Sequence, residues 1–228
     1  MPHKPRAWVA WSSGKDAAWA LHTARQGGEF DVVGMLCTLT EPYDRVSMHG
    51  VRRVLAEAQA RAAGLPLHKV FIPAPCPNEA YEAAMAKAMD TAKAEGISHI
   101  LFGDLFLDDI RRYREEKLAP TGIAPAFPLW GLDTRQLARD MIAGGLRAIV
   151  TCLDPRKLPR ELAGHAFDEA FLDALPEGVD PCAENGEFHS FVFAGPMFAE
   201  PLAVTVGETV ERDGLVFTDV LPGLVSGL

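Results

Sequence analysis

The strongest constraint on the fold is a regular alternation of strand-like and helix-like segments through the N-terminal part of the chain. Strand-like segments occur at 7–11, 31–39, 67–72 and 99–104, and the segment 31–39 is a continuous apolar run typical of a buried strand. Between them, apolar residues recur at helical spacing over about 16–26, then at Val51, Leu55, Ala58 and Ala62, and then at Tyr81, Met85, Ala88 and Ala92. The order βαβαβαβ predicts an α/β fold, a parallel sheet with helices on both faces. In such sheets the ligand lies beyond the carboxyl ends of the strands.

The rest of the chain has a different pattern. A helix is predicted at 133–145 and a buried strand at 147–154, followed by short strands at 184–198, 201–206 and 210–221. Asp213-Gly214 has the sequence of a hairpin turn between antiparallel strands. Proline-rich stretches at 119–128 and 155–159 are predicted to be joints. These patterns indicate a smaller α+β part after the parallel sheet.

Charge and cysteine usage argue against several classes of function. Lys and Arg total 22 against 31 Asp and Glu, a formal net charge of −9, whereas binding to a nucleic-acid backbone normally needs a basic face. The four cysteines form no CxxC pair, so neither a zinc ribbon nor a redox motif is predicted. The sequence also lacks a signal peptide and the run of about 20 apolar residues of a membrane span. We therefore expect a cytoplasmic protein without nucleic-acid or membrane partners.

The junction Ser12-Ser13-Gly14-Lys15-Asp16 is the first candidate for a functional site. It could be an ordinary strand-to-helix turn with a Ser or Asp as N-cap. It could equally be a phosphate cradle, because small residues let backbone N–H groups approach a ligand and Lys15 adds charge at the positive end of a helix dipole. The common P-loop, GxxxxGK[ST], is excluded, since it needs Gly in place of Val9 and Ser or Thr in place of Asp16.

Three stretches together resemble one known family. The junction is similar to the SGGxDS pyrophosphate loop of enzymes that split ATP between the α and β phosphates, with Ser13 replacing a Gly and Ala17 replacing the final Ser. The stretches GDLFLDDIRRYREEKLAPTGIAPAFPLW (103–130) and ENGEFHSFVFAGPMF (184–198) resemble the diphthine–ammonia ligase family, in particular its short bacterial branch. The resemblance implies a Rossmann-like (HUP-type) ATP-binding domain, placed at 1–130, and a smaller C-terminal α+β domain at 131–228 that completes the cleft.

The resemblance also implies an activity. Members of this family use ATP to activate a carboxylate as an acyl-adenylate, release pyrophosphate, and join the acyl group to ammonia with release of AMP. The expected cofactors are ATP and Mg²⁺, and the expected partners are ammonia and a small-molecule or protein-borne acid. Such chemistry needs cations against the triphosphate and a divalent metal. Lys15 and the loop amides would meet the first need, and Asp16 or Asp104 the second.

Residues around the other two motifs are further candidates. Gly103 and Asp104 close the fourth strand, where Asp104 could hold magnesium, orient the substrate, or serve only as the N-cap of the next helix. Arg114 could bind a phosphate or a carboxylate through its planar fork, the alternative being a solvated helix face. His49 follows the second strand and could face the nucleotide, whereas His189 is expected to point outward from its strand.

Glu184, Asn185 and Glu187 form the last cluster of candidates. In the absence of the resemblance they could be a polar turn. As catalytic residues, either carboxylate could bind ammonium, take a proton from it or hold a metal, and Asn185 could bind the substrate carboxylate or the oxyanion. The thiols of Cys152 and Cys182 are expected to be structural.

Two other functions stay open at the level of the sequence. One is an ATP-binding module that senses or slowly hydrolyses ATP without ligase activity, which the missing hydroxyl at Ala17 favours. The other is a tRNA-modifying pyrophosphate-loop enzyme, against which the acidic charge argues. A homodimer is a further expectation.

Overall fold

The N-terminal part of the chain forms a six-stranded sheet in the computed structural model, which describes residues 3–223. The strands run in the order β3-β2-β1-β5-β6, with β4 also paired to β2. All neighbours are parallel except β2 and β3. The strands are β1 (Arg6–Ala10), β2 (Asp31–Thr40), β3 (Arg45–Val46), β4 (Leu67–Ile72), β5 (His99–Leu101) and β6 (Ala124–Ala126). The predicted parallel sheet is therefore confirmed, with β3 as a short antiparallel addition.

Helices cover both faces of this sheet, as the alternation of β1 side chains requires. Ala7 and Val9 belong to one apolar cluster with α1 and α2, whereas Trp8, between them, belongs to a second cluster with α3 and the end of α4. The helices are α1 (Lys15–Gly27), α2 (Arg53–Ala63), α3 (Asn78–Ala94) and α4 (Asp108–Leu118). The apolar residues of the central strand β1 are therefore buried on both faces of the sheet, as in parallel sheets covered by helices on both sides.

The C-terminal part forms a separate antiparallel sheet in the order β8-β7-β10-β9. Asp213 (φ 53°) and Gly214 (φ 77°) form the tight turn of the hairpin between the last two strands, as predicted. The elements are α5 (Thr134–Ala143), β7 (Arg147–Leu153), α6 (Glu169–Asp173), β8 (Phe188–Ala194), β9 (Val204–Arg212) and β10 (Leu215–Pro222). This is the expected smaller C-terminal part, so the predicted fold class holds for both sheets.

Two local predictions differ from the structure. The proline-rich stretch 119–128, predicted to be a joint, contains the edge strand β6, in which Pro125 lies opposite Ile100. A proline is tolerated there because an edge strand has one side without ladder hydrogen bonds. The strands predicted at 201–206 and 210–221 are displaced, since β9 runs continuously through Val204–Arg212.

The two sheets share one apolar core. A single cluster of buried side chains extends from Ala7 and Val9 in β1 to Val150 in β7 and Val220 in β10. The division at residue 130 into two domains stays a prediction. Within residues 3–223, no helix has both the length and the apolar character that a membrane span requires.

Candidate functional site

The loop between β1 and α1 is anchored by the second sheet. Ser13 has a left-handed backbone (φ 72°), and its carbonyl oxygen accepts hydrogen bonds from the Val192 N–H (3.0 Å) and from Gln59 Nε2 (3.1 Å). The Lys15 N–H donates to the Ser190 hydroxyl at 3.2 Å. Gly14 leaves no room for a side chain, because a Cβ there would lie 2.9 Å from His49 Cε1. The loop conformation therefore depends on strand β8 and helix α2 as well as on its own sequence.

A cavity of about 480 Å³ opens beside this loop at the carboxyl ends of β1, β2 and β5. Part of the cavity wall is apolar and includes Leu36, Met85, Met89, Ile100 and Phe102. The wall also includes seven of the predicted site residues: Ser12, Asp16, His49, Gly103, Asp104, Arg114 and Glu184. The volume is typical of a site for a small molecule or cofactor. The position is the one expected for a ligand of an open α/β sheet.

Gly103 brings the end of β5 against the start of α1. A Cβ at Gly103 would lie 2.7 Å from the Asp16 carbonyl carbon and 2.9 Å from the Ala17 nitrogen. Only a glycine permits this approach of two backbones. It places Asp104 and the loop on the same wall of the cavity.

Lys15 is not among the residues that line the cavity. The residue is only 2% exposed, and the ammonium donates to Asp16 Oδ2 (2.9 Å) and to the carbonyl of Cys182. It also lies over the rings of Phe188 (5.2 Å) and Phe167 (5.8 Å). Burial lowers the pKa of Lys15, but the carboxylate of Asp16 and other nearby negative groups outweigh it, so the pKa is above its ordinary value. The ammonium is thus a charged link between α1 and the 180–187 turn.

The two candidate metal ligands differ in what they already bind. Both oxygens of Asp104 accept from Arg114, at 2.6 Å from Nε and 3.1 Å from Nη2, and the guanidinium lies 4.3 Å from the Phe102 ring centroid. Asp16 pairs with Lys15 through Oδ2 only, and its buried Oδ1 has no hydrogen-bond partner within residues 3–223. The described part of the chain contains no group of three or more His, Cys, Asp or Glu placed to hold a metal ion. Of the two carboxylates, Asp16 is thus the one with an oxygen not already engaged in a hydrogen bond within residues 3–223.

Glu184 reaches the cavity from the 180–187 turn. Its Oε1 accepts from the N–H groups of Leu105 (2.7 Å) and Phe106 (3.4 Å), which follow Asp104. The turn is held by Asp180, whose Oδ2 accepts from the Glu184 N–H at 2.8 Å. Burial raises the pKa of Glu184, and the carboxylates of Asp16 and Asp104 raise it further. The carboxyl group of Glu184 therefore binds a proton more readily than the carboxyl group of an exposed glutamate does.

Asn185 and Glu187 do not line the cavity. Asn185 Nδ2 donates to Glu187 Oε1 at 3.2 Å, and Glu187 is only 4% exposed. The Asp180 N–H also donates to Glu187 Oε1, at 3.4 Å. The structure therefore brings these two predicted residues together within the turn, with Asn185 exposed and Glu187 buried, and places neither in the cavity lining.

His189 is the site residue that the sequence interpretation missed. It does point away from the apolar core, but that direction leads into the cavity, where its ring lies 4.4 Å from the ring of His49. His49 Nδ1 lies 3.3 Å from the Ser190 carbonyl oxygen. Burial lowers the pKa of His189 to about 4. Burial also holds the pKa of His49 well below its ordinary value, and the neighbouring imidazole of His189 lowers it further. A signal was present in the alternation of Phe188 and His189, which places one inside and the other on the cavity side.

A second cavity of about 440 Å³ adjoins the first. It lies between the segment 40–50 and the hairpin β9–β10, and Val46, Ser47 and Met48 line both cavities. Its rim carries the exposed apolar side chains Tyr43, Met48 and Val210. Clustered exposed apolar groups around a concave surface are typical of a binding site.

Comparison with known proteins points to one family. Residues 5–122 match the family described as the diphthamide synthase N-terminal domain, and residues 133–217 match the diphthamide synthase C-terminal domain. Curated relatives include the diphthine–ammonia ligase of Rattus norvegicus, 31% identical over 130 residues, 54% of this chain and 48% of the relative. The diphthine–ammonia ligase of Danio rerio is 33% identical over 120 residues, 50% of this chain and 47% of the relative. The matched region thus spans about half the length of these relatives.

Proposed function

This chain belongs to the diphthamide synthase family, and from that membership we propose that it is an ATP-dependent ligase that converts a carboxylate to an amide with ammonia. One observation carries the proposal. The cavity of about 480 Å³ collects the loop residues Ser12 and Asp16, the pair Asp104–Arg114, and Glu184 from three distant stretches of sequence. These are the same stretches that carry the resemblance to the family.

We propose that ATP binds with its base on the apolar wall and its phosphates beside the loop. Leu36, Ile100 and Phe102 provide a dry surface for a planar base. The amides at the start of α1 and the positive end of the helix dipole suit the phosphates. Lys15 would contribute through its field from the buried position, or by leaving Cys182 when the nucleotide binds.

Magnesium would be held through Asp16, whose free Oδ1 faces no other partner within residues 3–223. Bound there with the phosphates, it would neutralise charge that develops on the pyrophosphate leaving group. Asp104 would instead orient Arg114 through its two hydrogen bonds. The guanidinium would then present its remaining N–H groups to a phosphate or to the substrate carboxylate.

The proposed reaction has two bond exchanges. A carboxylate oxygen of the acid attacks the α phosphorus, the bond to the β phosphate breaks, and pyrophosphate leaves. The nitrogen of ammonia then attacks the acyl carbon, the bond to AMP breaks, and a proton passes to a base. Glu184 is the candidate for that base, because its raised pKa brings proton uptake closer to neutral pH.

The remaining predicted residues have supporting roles in this proposal. His49 and His189 are neutral imidazoles that can donate or accept a hydrogen bond at the cavity wall. Asn185 and Glu187 would hold the turn that carries Glu184, through the bond between Asn185 Nδ2 and Glu187 Oε1. The second cavity, beyond Val46–Met48, is where we propose that the acid enters.

The test is the stoichiometry of products. Incubation with ATP, Mg²⁺, ammonium and an accepted acid should release AMP and pyrophosphate in equal amounts. ADP and phosphate as the only products would contradict a ligase of this type. Glu184→Gln should retain the fold, because the amide oxygen can still accept from Leu105, but should lose amide formation by about 100-fold, within the usual range for a general base. Glu200→Gln, at an exposed position, is the matched control.

A sensor that binds or slowly hydrolyses ATP is the second candidate. It is favoured by Ala17, which lines the cavity but has no hydroxyl. A sensor should bind ATP equally well after Glu187→Ala and show no turnover that depends on an acid. A tRNA-modifying enzyme would instead release AMP only when tRNA is added, and the rate of AMP release would fall as the salt concentration rises. A homodimer and a cytoplasmic location stay predictions.

A further inference from the structure

Gln59 lies in helix α2 and is fully buried, yet neither the motifs nor the proposed chemistry uses it. Its Nε2 donates to the carbonyl oxygens of Ser13 (3.1 Å) and Val192 (2.6 Å), and its Oε1 accepts from Trp11 Nε1 at 2.9 Å. Both amide hydrogens and the amide oxygen are therefore paired. The orientation of the amide is fixed by these partners, since a flip would set oxygen against two carbonyl oxygens and nitrogen against the indole N–H.

These bonds connect the parts of the molecule that surround the loop. Trp11 follows β1, Ser13 is in the loop itself, and Val192 is in β8 of the second sheet. Val192 also donates its own N–H to the Ser13 carbonyl, at 3.0 Å. The Ser13 oxygen is thus held from two sides, by a helix of the first sheet and by a strand of the second.

The direction of the Ser13 carbonyl fixes the direction of the next N–H. In a planar trans peptide the C=O and the N–H point to opposite sides. Because the Ser13 oxygen points to Gln59 in the interior, the Gly14 N–H points the other way, toward Ser12 Oγ at 3.4 Å. Ser12, unlike the buried Gly14, lines the cavity of about 480 Å³. This N–H has only a long hydrogen bond in the protein, so a phosphate oxygen could replace its partner at little cost.

Burying a side-chain amide at position 59 costs desolvation free energy, which only its hydrogen bonds offset. The neighbouring buried positions of α2 carry Leu55, Ala56, Ala60 and Ala63. A Leu or Met in place of Gln59 would satisfy packing without any polar group to desolvate. It would leave the Ser13 oxygen with one partner and the Trp11 indole N–H with none.

We propose that Gln59 is a positioning residue for nucleotide binding, which fixes the Ser13–Gly14 peptide so that the Gly14 N–H faces the phosphate position. The inference rests on the proposed function for the identity of the ligand, and the orientation of the peptide stands on the hydrogen bonds themselves. Gln59 does not touch the ligand. It acts through Ser13.

The experiment compares Gln59→Leu with the wild-type protein in binding of ATP and Mg²⁺ by titration calorimetry. Loss of the anchoring bonds should weaken ATP binding about tenfold or more, the equivalent of about one hydrogen bond. Leu55→Ala is the matched control, since it opens a cavity on the same buried face of the helix but removes no hydrogen bond to the loop, because a leucine side chain has no hydrogen-bonding group. It should lower the melting temperature at least as much while leaving ATP affinity within about twofold. Wild-type affinity in Gln59→Leu, or an equal loss in Leu55→Ala, would overturn the proposal.

Amide hydrogen exchange in the nucleotide-free protein separates this proposal from the proposed function. In Gln59→Leu, exchange at Gly14 and Val192 should become faster relative to β5 amides, whether or not the protein binds ATP. Unchanged protection of the Gly14 and Val192 amides in Gln59→Leu would contradict the positioning role of Gln59. Absence of ATP binding in the wild-type protein would contradict only the proposed function. If Gln59→Leu does not fold, Gln59→Met, which preserves the length of the side chain but also lacks the amide, gives the same readouts.

Discussion

Ser13 is one of the two residues, with Ala17, where the loop departs from the pyrophosphate-loop pattern, and the structure shows what that departure involves. Its φ of 72° lies in the left-handed region, where a Cβ is unfavourable by roughly 1–2 kcal/mol and glycine is not. Its hydroxyl is also buried without a hydrogen-bond partner within residues 3–223. Two unfavourable terms therefore meet in one residue at the centre of the candidate site, as is common at functional positions.

Ser13→Gly should stabilise the nucleotide-free protein. Removing the strain and the unpaired hydroxyl outweighs the extra backbone entropy of glycine, for a net gain of about 1 kcal/mol, or a rise of about 2–4 °C in melting temperature. Ser12→Gly is the control, because Ser12 does not have a positive φ. Urea and thermal unfolding measure both variants. A Ser13→Gly protein less stable than wild type would show that the hydroxyl has a stabilising partner.

Lys15 should contribute to stability as a buried ion pair. Lys15→Met leaves the Asp16 carboxylate without its counter-ion, and since that side chain is 28% exposed we expect a loss of about 2–3 kcal/mol, somewhat below a fully buried pair. Lys69→Met breaks the more exposed pair with Glu57 and should cost less than about 1 kcal/mol. If urea unfolding gave equal losses of free energy of unfolding for Lys15→Met and Lys69→Met, Lys15 would not be a stabilising link between α1 and the 180–187 turn.

Contacts between elements fix the second sheet against the first. Asp219 of β10 accepts from Arg45 of β3 at 2.8 Å and from Arg52, before α2, at 2.6 Å. A Cβ at Gly50 would lie 3.1 Å from the Phe217 ring, so the segment after β3 packs closely on β10. The hairpin is thus held in place beside the second cavity.

The Asp219 pairs should make stability depend on pH in the acid range. Burial alone would raise the pKa of Asp219, but hydrogen bonds from Arg45 and Arg52 outweigh it and lower the pKa from 3.8 to about 2. Because the folded pKa is depressed, the stabilisation is complete above about pH 4 and is lost as the pH falls toward about 2. Asp219→Asn should therefore lower the free energy of unfolding by about 1 kcal/mol at pH 7, a value reduced because the arginines are partly exposed. The free energy of unfolding of this variant should also depend less on pH between pH 4 and pH 2.

Urea unfolding between pH 2 and pH 7 measures this dependence. Asp213→Asn is the control, since the turn residue Asp213 makes no ion pair within the described residues and Asn accepts its positive φ. If the free energy of unfolding of Asp219→Asn varied with pH in parallel with that of the wild type, the lowered pKa of Asp219 would not be the cause of the acid dependence.

Local pattern predicted the elements better than their buried faces. The helix α2 was predicted from Val51, Leu55, Ala58 and Ala62, but the buried face contains Leu55, Ala56, Gln59, Ala60 and Ala63. A pattern built on apolar residues does not select Gln59, whose burial depends on partners in the loop and in β8. The family resemblance likewise grouped Asn185 and Glu187 with Glu184, although of the three only Glu184 lines the cavity.

At the scale of the whole molecule, the two sheets should unfold together. One apolar cluster runs through both, and the loop is hydrogen-bonded to β8. We expect a single calorimetric transition with equal calorimetric and van't Hoff enthalpies. MgATP at about 100 times its dissociation constant should stabilise that one transition by about 2.7 kcal/mol. Two separate transitions, with only one shifted by MgATP, would show that the parts are independent.

The sequence by itself determined the alternation of the main strands and helices, the parallel sheet and the Asp213-Gly214 turn, and its motifs identified the family. It did not reveal β3 or the edge strand β6. The alternation and the turn follow from interactions between near neighbours in the chain, which periodicity and turn residues record. Only the tertiary structure decided that Lys15 turns to Cys182, 167 residues away, that Gln59 holds Ser13 across 46 residues, and that His189 faces the cavity. The physical reason is that a buried polar group must find its partners wherever packing brings them, and packing joins segments far apart in sequence.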